Sequence, residues 1–296
     1  MSQGTPEPAA AAQHGTGHGR ELPGRELAGA LRAEAAERAA ALTARGTTPH
    51  LAVVTATADE SSAWYVRSIA RSAEKAGLAC TIADLGPEAP VARVHERLTE
   101  LSADPTVHGI ILQTPLPAGA RLEGLASAID PVKDVDGANP LSLGRLAAGL
   151  PAFAPATAEA VVALLDHYKI DPAGRHAVVV GRSTVVGKPV AHLLLDRNAT
   201  VTVCHSRTVG LASTARTGDI LVAAAGRPGL ITPGHVRPGA VVIDVGTNPT
   251  PDGGLVGDVD PAVATTAAAL TPVPGGVGPV TTALLLQHTV RAALTL

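Results

Sequence analysis

GRHAVVVGRSTVVGKPVAHLLLDRNATVTVCHSRT, residues 174–208, decides how the rest of the chain is to be read. Residues 176–180, His-Ala-Val-Val-Val, are short, β-branched and bounded by glycines, the pattern of a strand buried on both faces. Gly181 to Gly187 makes a turn, Lys188 to Leu195 continues with helical apolar spacing, and Ala199 to Cys204 returns as a second β-branched strand. Strand, glycine turn, helix and strand form half of a dinucleotide-binding unit, with loop amides and a helix N-terminus placed for a pyrophosphate. The spacing differs from G-x-G-x-x-G, because two glycines enclose Arg182-Ser-Thr-Val-Val186. Glycine-bounded turns of this kind also occur in α/β proteins that bind no nucleotide.

Working outward, strands are expected at residues 50–55, 78–83, 107–113, 218–223 and 240–245. Helices are expected at 26–45, 61–76, 91–101, 122–129, 158–168 and 281–294. This alternation predicts an α/β chain of two parallel-sheet domains with helices on both faces, the second Rossmann-like. A disordered tail is expected over residues 1–24, then a first domain over 25–155 completed by a C-terminal helix at 280–296. The second domain is expected over 156–279. Residues 140–156 read as the bridge between the domains, and 271–279, Thr-Pro-Val-Pro-Gly-Gly-Val-Gly-Pro, as irregular backbone.

A net charge of −3 gives no electrostatic reason to expect nucleic acid or an anionic membrane as partner. Aromatic residues make up 1% of the chain, so the core must be aliphatic and no base-stacking platform is available. The N-terminus lacks a basic start followed by an apolar core, and no later apolar run reaches spanning length without Gly, Pro or charge. Cys80 and Cys204, far apart on different predicted strands, cannot build a disulfide framework or a zinc site. A cytoplasmic protein without a metal is the expectation.

Ligands of open α/β sheets bind beyond the carboxyl ends of the strands. In the first domain Gln113 closes a strand before Pro115-Leu-Pro117, Asp134 and Asp136 share a short loop, and Tyr65 lies on the second helix. Each has an ordinary reading: a strand-end polar group, turn formers before glycine, a rim aromatic. In the second domain an NAD site usually carries an acid about 20 residues past the glycine loop. Here that place reads Cys204-His-Ser-Arg-Thr208, without an acid. Ser206 with the cations Arg182 and Arg207 suits a ribose 2′-phosphate, which favours NADP, although a lone arginine is more often a solvated surface residue.

Taken together, the segments resemble the methylenetetrahydrofolate dehydrogenase/methenyltetrahydrofolate cyclohydrolase family. The matching pieces are Trp64-Tyr-Val66, the run 109–117, Pro131-Val-Lys-Asp-Val-Asp-Gly137, the run 173–187, Cys204-His-Ser-Arg-Thr208, Val256-Gly-Asp-Val259 and the run 271–279. They stand in the family's order over nearly the whole chain after residue 24. The resemblance implies a folate cleft between two α/β domains and a homodimer formed through the cofactor domain. It implies that Asp136 holds the pterin, that Gln113 and Tyr65 line the site of the reacting carbon, and that Pro274, Gly275 and Gly276 border the substrate. Gly181, Arg182, Ser183, Ser206 and Thr247 would contact NADP.

One departure bears on function. The family's helix carries Tyr-Val-x-x-Lys, whose lysine serves the hydrolytic step, whereas this chain has Tyr65-Val-Arg-Ser-Ile69. Arg67 and Arg71 fall two residues to either side and so on other faces of a helix, and a guanidinium cannot act as a base. Hydride transfer needs mainly position and water exclusion. Opening the methenyl bridge needs proton exchange, typically worth about 10² to 10⁴-fold. The expectation is therefore NADP-dependent oxidation of 5,10-methylenetetrahydrofolate with cyclohydrolase weak or lost. The alternatives are a bifunctional enzyme in which a nearby residue replaces the lysine, a non-catalytic folate- or NADP-binding protein, and a shikimate-type dehydrogenase on a similar fold.

Overall fold

A computed structural model describes residues 19–296. Two parallel sheets organise them. The smaller holds β2 (His50–Thr55), β3 (Ala79–Asp84) and β4 (Gly109–Leu112) in the order β3-β2-β4. The larger has six strands in the order β1-β11-β8-β7-β5-β6: β1 (Arg20–Glu21), β5 (His176–Val180), β6 (Thr200–Cys204), β7 (Ile220–Ala223), β8 (Val241–Asp244) and β11 (Ala269–Leu270). A short antiparallel pair, β9 (Asn248–Pro249) and β10 (Leu255–Val256), stands apart from both. The predicted two-sheet α/β architecture is present.

The local reasons are visible in the sequence. In α2 (Glu60–Lys75) Asp59 caps the first turn, its carboxylate accepting from the Ser62 amide at 2.7 Å. Val66, Ile69 and Ala73 recur at helical spacing and are buried against the small sheet. Strand β5 buries Ala177 to Val180, as a strand covered on both faces must. The remaining helices are α1 (Arg25–Thr43), α3 (Val91–Ala103), α4 (Leu122–Ala126), α5 (Pro140–Ala147), α6 (Ala156–His167), α7 (Gly187–Leu195), α8 (Leu211–Ala215) and α9 (Val277–Thr295).

Three expectations change. The disorder expected over 1–24 fails at its end, because Arg20 and Glu21 pair with Ala269 and Leu270 and extend the large sheet. Residues 1–18 lie outside the described part of the chain. The bridge at 140–156 contains a helix, α5, begun by the Asn139 side chain accepting from the Leu141 amide at 2.7 Å with Pro140 at the first position. The run 271–279 is irregular only as far as Gly276. Val277 already opens α9, and Pro279 fits the first turn, where its missing N–H has no helical partner to lose.

Helix α9 ties the two halves together. It lies against α1 and α6 and reaches back to β2 and β4 beneath the smaller sheet. Leu284, Leu285, Leu286 and Val290 are buried along it. The side of β4 away from β2 is closed by the motif loop, where the Ile110 amide donates to the Lys133 carbonyl at 2.8 Å.

Candidate active site

Past the carboxyl end of β4, Gln113 continues the ladder with its amide donating to Val54 O at 2.9 Å. Its side-chain Nε2 then donates to the Thr114 carbonyl at 2.7 Å, and the Ser62 hydroxyl of α2 donates to the same oxygen at 3.0 Å. The Thr114–Pro115 bond is cis. The strand exit and the start of α2 are thus clasped, and Tyr65 follows on that helix one residue beyond Trp64. Burial first, then the charge of Asp136, pushes the Tyr65 hydroxyl up to about 12, against the Thr282 hydroxyl hydrogen-bonded to it. Tyr65, Asp136 and Thr282 therefore converge.

The two aspartates of the motif loop divide the work. Asp134 is fully buried and spent on structure: its carboxylate accepts from the Ala138 and Asn139 amides at 2.9 and 2.8 Å and from the Ser142 hydroxyl at 2.7 Å. Asp136 is only partly covered and faces Tyr65. Burial, then the like charge of Asp134, raises its carboxyl to about 7, while the Ala156 amide at the start of α6 and His288 pull the other way. Gly137 closes the loop at φ +61°, and a Cβ there would stand 2.5 Å from Pro155 N, so only glycine lets the loop lie on the strap before α6. Lys133, in the same motif, turns away and donates its Nζ to Asp104 O at 2.6 Å.

Ile69, one turn from Tyr65, is completely buried among Leu51, Val53, Val66 and Ile111. Lys75 and Arg71 are exposed on other faces of α2. Pro274, Gly275 and Gly276 are anchored where Gly24 N donates to Gly275 O at 2.8 Å. They immediately precede α9, whose first residue, Val277, stands five residues before Thr282, about 7.5 Å along the helix axis.

The glycine loop belongs to the other half, between β5 and α7. A Cβ on Gly181 would meet Ala224 O at 2.0 Å, and one on Gly187 would meet Gly181 O at 2.2 Å. Such a bare backbone ring gives a phosphate direct access to main-chain amides. Ser183 is exposed, and its hydroxyl accepts from the Val186 amide at 3.1 Å. Arg182, Ser206 and Arg207 are exposed and their side chains hold no ion pair among the described residues, and no acid follows β6. This donor set fits the 2′-phosphate of NADP. The hydroxyl of Thr184 in the loop touches Glu123 of α4 at 3.4 Å, so the two halves meet beside it.

The sequence reading missed the groups that shape the floor of this second half. Asp258 is fully buried and accepts from the Ala225, Gly226 and Arg227 amides at 2.6, 2.9 and 2.8 Å and from Asn248 Nδ2 at 2.9 Å. Asp244 accepts from the Gly246 and Asp258 amides at 2.9 and 3.0 Å and from the Val259 amide at 3.0 Å, which presents the exposed Thr247 next to it. Burial lifts the Asp244 carboxyl to about 6. Asp258 lay within a quoted motif, Gly257 beside it being the signal: a Cβ there would reach 1.8 Å from Asp244 Oδ2. Thr282 and His288, on α9, carried no motif signal.

The same arrangement is found in known proteins. Residues 22–136 match the catalytic domain of tetrahydrofolate dehydrogenase/cyclohydrolase, and residues 155–296 match its NAD(P)-binding domain. Bifunctional protein FolD 1 of Saccharopolyspora erythraea is 68% identical over 92% of this chain and 93% of its own. The bifunctional FolD enzyme of Campylobacter jejuni superposes with a TM-score of 0.89 at 37% identity, covering 93% of this chain and 98% of its own. Trypanosoma brucei FolD, solved with NADP cofactor and an inhibitor, gives 0.88 at 36%, covering 94% and 98%. With both halves matched in order, the chain belongs to the tetrahydrofolate dehydrogenase/cyclohydrolase family.

Proposed function

We propose that this chain oxidises 5,10-methylenetetrahydrofolate to the methenyl form with NADP, and also opens that product to 10-formyltetrahydrofolate, in one-carbon metabolism. The expectation that hydrolysis is weak or lost draws no support from the relatives, since proteins 68% and 66% identical carry the name bifunctional. The observation that carries the reading is that both domains of the family are present in order, with relatives 68% and 66% identical over 92% and 93% of this chain named bifunctional.

When bound, NADP supplies the nicotinamide that accepts the hydride. The chain's own residues bind, orient and move protons. Asp136 accepts N–H groups of the pterin when ionised. Tyr65 keeps its proton at every physiological pH, so its hydroxyl donates and does not act as a base. Gln113 spends its Nε2 on Thr114 O, which leaves Oε1 as an acceptor at the strand end. Pro274, Gly275 and Gly276 wall the cleft, and Gly181, Arg182, Ser183, Ser206, Arg207 and Thr247 hold the dinucleotide. Hydrolysis asks for proton exchange at the reacting carbon; position 69 supplies no amine there, so Tyr65 and Gln113 are the groups that orient the attacking water. Lys133 does not substitute, because its Nζ is committed to Asp104 O.

In this reading the catalytic domain spans 25–155 and is completed by 280–296, with the cofactor domain at 156–279. Two copies pair through the cofactor domain, where β6 ends the large sheet with Val203 exposed. The unpaired Cys80 and Cys204 suit the reducing cytoplasm.

The test follows NADPH and methenyltetrahydrofolate together by absorbance after methylenetetrahydrofolate and NADP are mixed with the protein. NADPH should rise while methenyl product fails to accumulate. Methenyl product decaying only at its uncatalysed rate would remove the hydrolytic half of the proposal. No NADPH at all would leave a binding protein.

A further inference from the structure

His288 is completely buried on α9, yet it has no place in the chemistry above. Its Nδ1 lies 2.8 Å from the carbonyl of Val135, the residue between the two motif aspartates. Its Nε2 lies 3.0 Å from Glu159 Oε2 on α6, off the line of a straight hydrogen bond, and has no other partner among the described residues. Both ring nitrogens thus face acceptors, and only an imidazolium can donate from both. The Phe153 ring packs tilted against the imidazole at 5.0 Å between centroids, and the Arg291 guanidinium lies 5.2 Å from the centre of the Phe153 ring.

We propose that His288, held as an imidazolium by Glu159, is a positioning residue for Asp136: it tethers the loop through Val135 O and places a positive charge behind the carboxylate that grips the pterin. The inference rests on Asp136 being the pterin ligand. The charged groups around His288 are consistent with it. Asp134 and Asp136 approach from the loop, and the charge of His288 opposes the burial that raises both carboxyls. Glu159 approaches from α6; burial would raise its carboxyl, but the close approach and charge of His288, with Arg291 and Arg197 behind, hold it below the usual range. From α1, Glu34 is engaged by Arg38 and by Gln287 at 2.9 Å and does not compete.

The test compares His288→Asn, which keeps a donor toward Val135 O but loses the charge, with Glu159→Gln and Asp136→Asn. The KM for methylenetetrahydrofolate and kcat of the dehydrogenase reaction are measured from pH 6 to 9. Removing the cation moves the ionisation of Asp136 upward, and a displacement of one pH unit from about 7 cuts the ionised fraction at pH 7 about fivefold. His288→Asn and Glu159→Gln should therefore raise KM about fivefold at pH 7 and recover toward the parent value by pH 9, with kcat and the KM for NADP within about twofold. A KM equal to that of the parent at every pH, or a loss that is the same at every pH, would overturn the proposal. If Asp136→Asn leaves KM unchanged, the pterin-ligand reading itself has failed, and the two failures are told apart. Nitrogen-15 spectra of the intact protein give a check that survives a poorly folded His288 variant. Both ring nitrogens of His288 should carry protons at pH 7.5 in the parent and lose one in Glu159→Gln; a neutral ring in the parent would sink the idea.

Discussion

Asp134 and Asp136 stand two residues apart and meet opposite fates, because the loop turns one carboxylate onto three donors and leaves the other against Tyr65. A folded-state carboxyl near 7 has a sign that can be worked out. The unfolded chain ionises at about 3.8, so the folded state holds the Asp136 proton more tightly, and ionising it costs stability progressively as pH rises from about 4 to 7. Asp136→Asn should raise the Tm of the ligand-free protein by about 2–4 °C at pH 8, a gain that vanishes toward pH 4. Equal gains at both pH values in a thermal melt would contradict this. Across the cleft, Arg207→Ala should raise the KM for NADP by about ten- to a hundredfold, as loss of a charge-assisted hydrogen bond to phosphate does. The KM for NAD should stay unchanged; a parallel rise for both cofactors would deny the arginine its role.

At the scale of elements, the glycine loop and α7 depend on contact too close for any side chain. Gly187→Ala would push a methyl to 2.2 Å from Gly181 O and 2.8 Å from Arg182 N, forcing the loop open. NADP affinity should fall about hundredfold, some 2.7 kcal/mol, while folate binding measured separately changes little. Unaltered NADP titrations would show the loop does not hold the phosphates. Helix α2 makes the complementary case. Its face of Val66, Ile69 and Ala73 is legible as helical spacing, and a one-residue reading of Ile69 as a lost catalytic group misses that the position is also a packed core site. Ile69→Ala should cost about 2–5 kcal/mol by removing buried methylenes and leaving a cavity, read as a lowered denaturation midpoint.

At the scale of the molecule, α9 is the piece that makes two sheets one enzyme. It begins at the Pro274–Gly276 wall, sets Thr282 beside Tyr65, places His288 behind the motif loop and buries an aliphatic face on α1 and α6. A chain ended at residue 276 should therefore lose the cooperative unfolding of the small sheet and all folate binding; hydrogen exchange retaining slow amides in β2 and β4 would refute that. Similarly, cutting before Leu22 removes β1 from the edge of the large sheet and should lower stability without touching the cleft.

Much of this was present in the sequence alone. Strand and helix alternation, the glycine loop, the missing acid after β6 and the paired aspartates are local patterns, written in spacing and residue type, and they suffice for two α/β halves and an NADP cofactor, while the roles proposed for the cleft residues come from the resemblance to the family. What they could not contain is which of two neighbouring carboxylates faces the cleft. Nor could they show that Arg20 and Glu21 close a sheet formed 250 residues later, that Lys133 points to Asp104, or that His288 and Glu159, separated by more than a hundred residues, meet behind Val135. Those facts depend on burial and on contacts between segments distant in the chain. Desolvation and neighbouring charge exist only once the chain has packed, and it is they that set the protonation of Asp136.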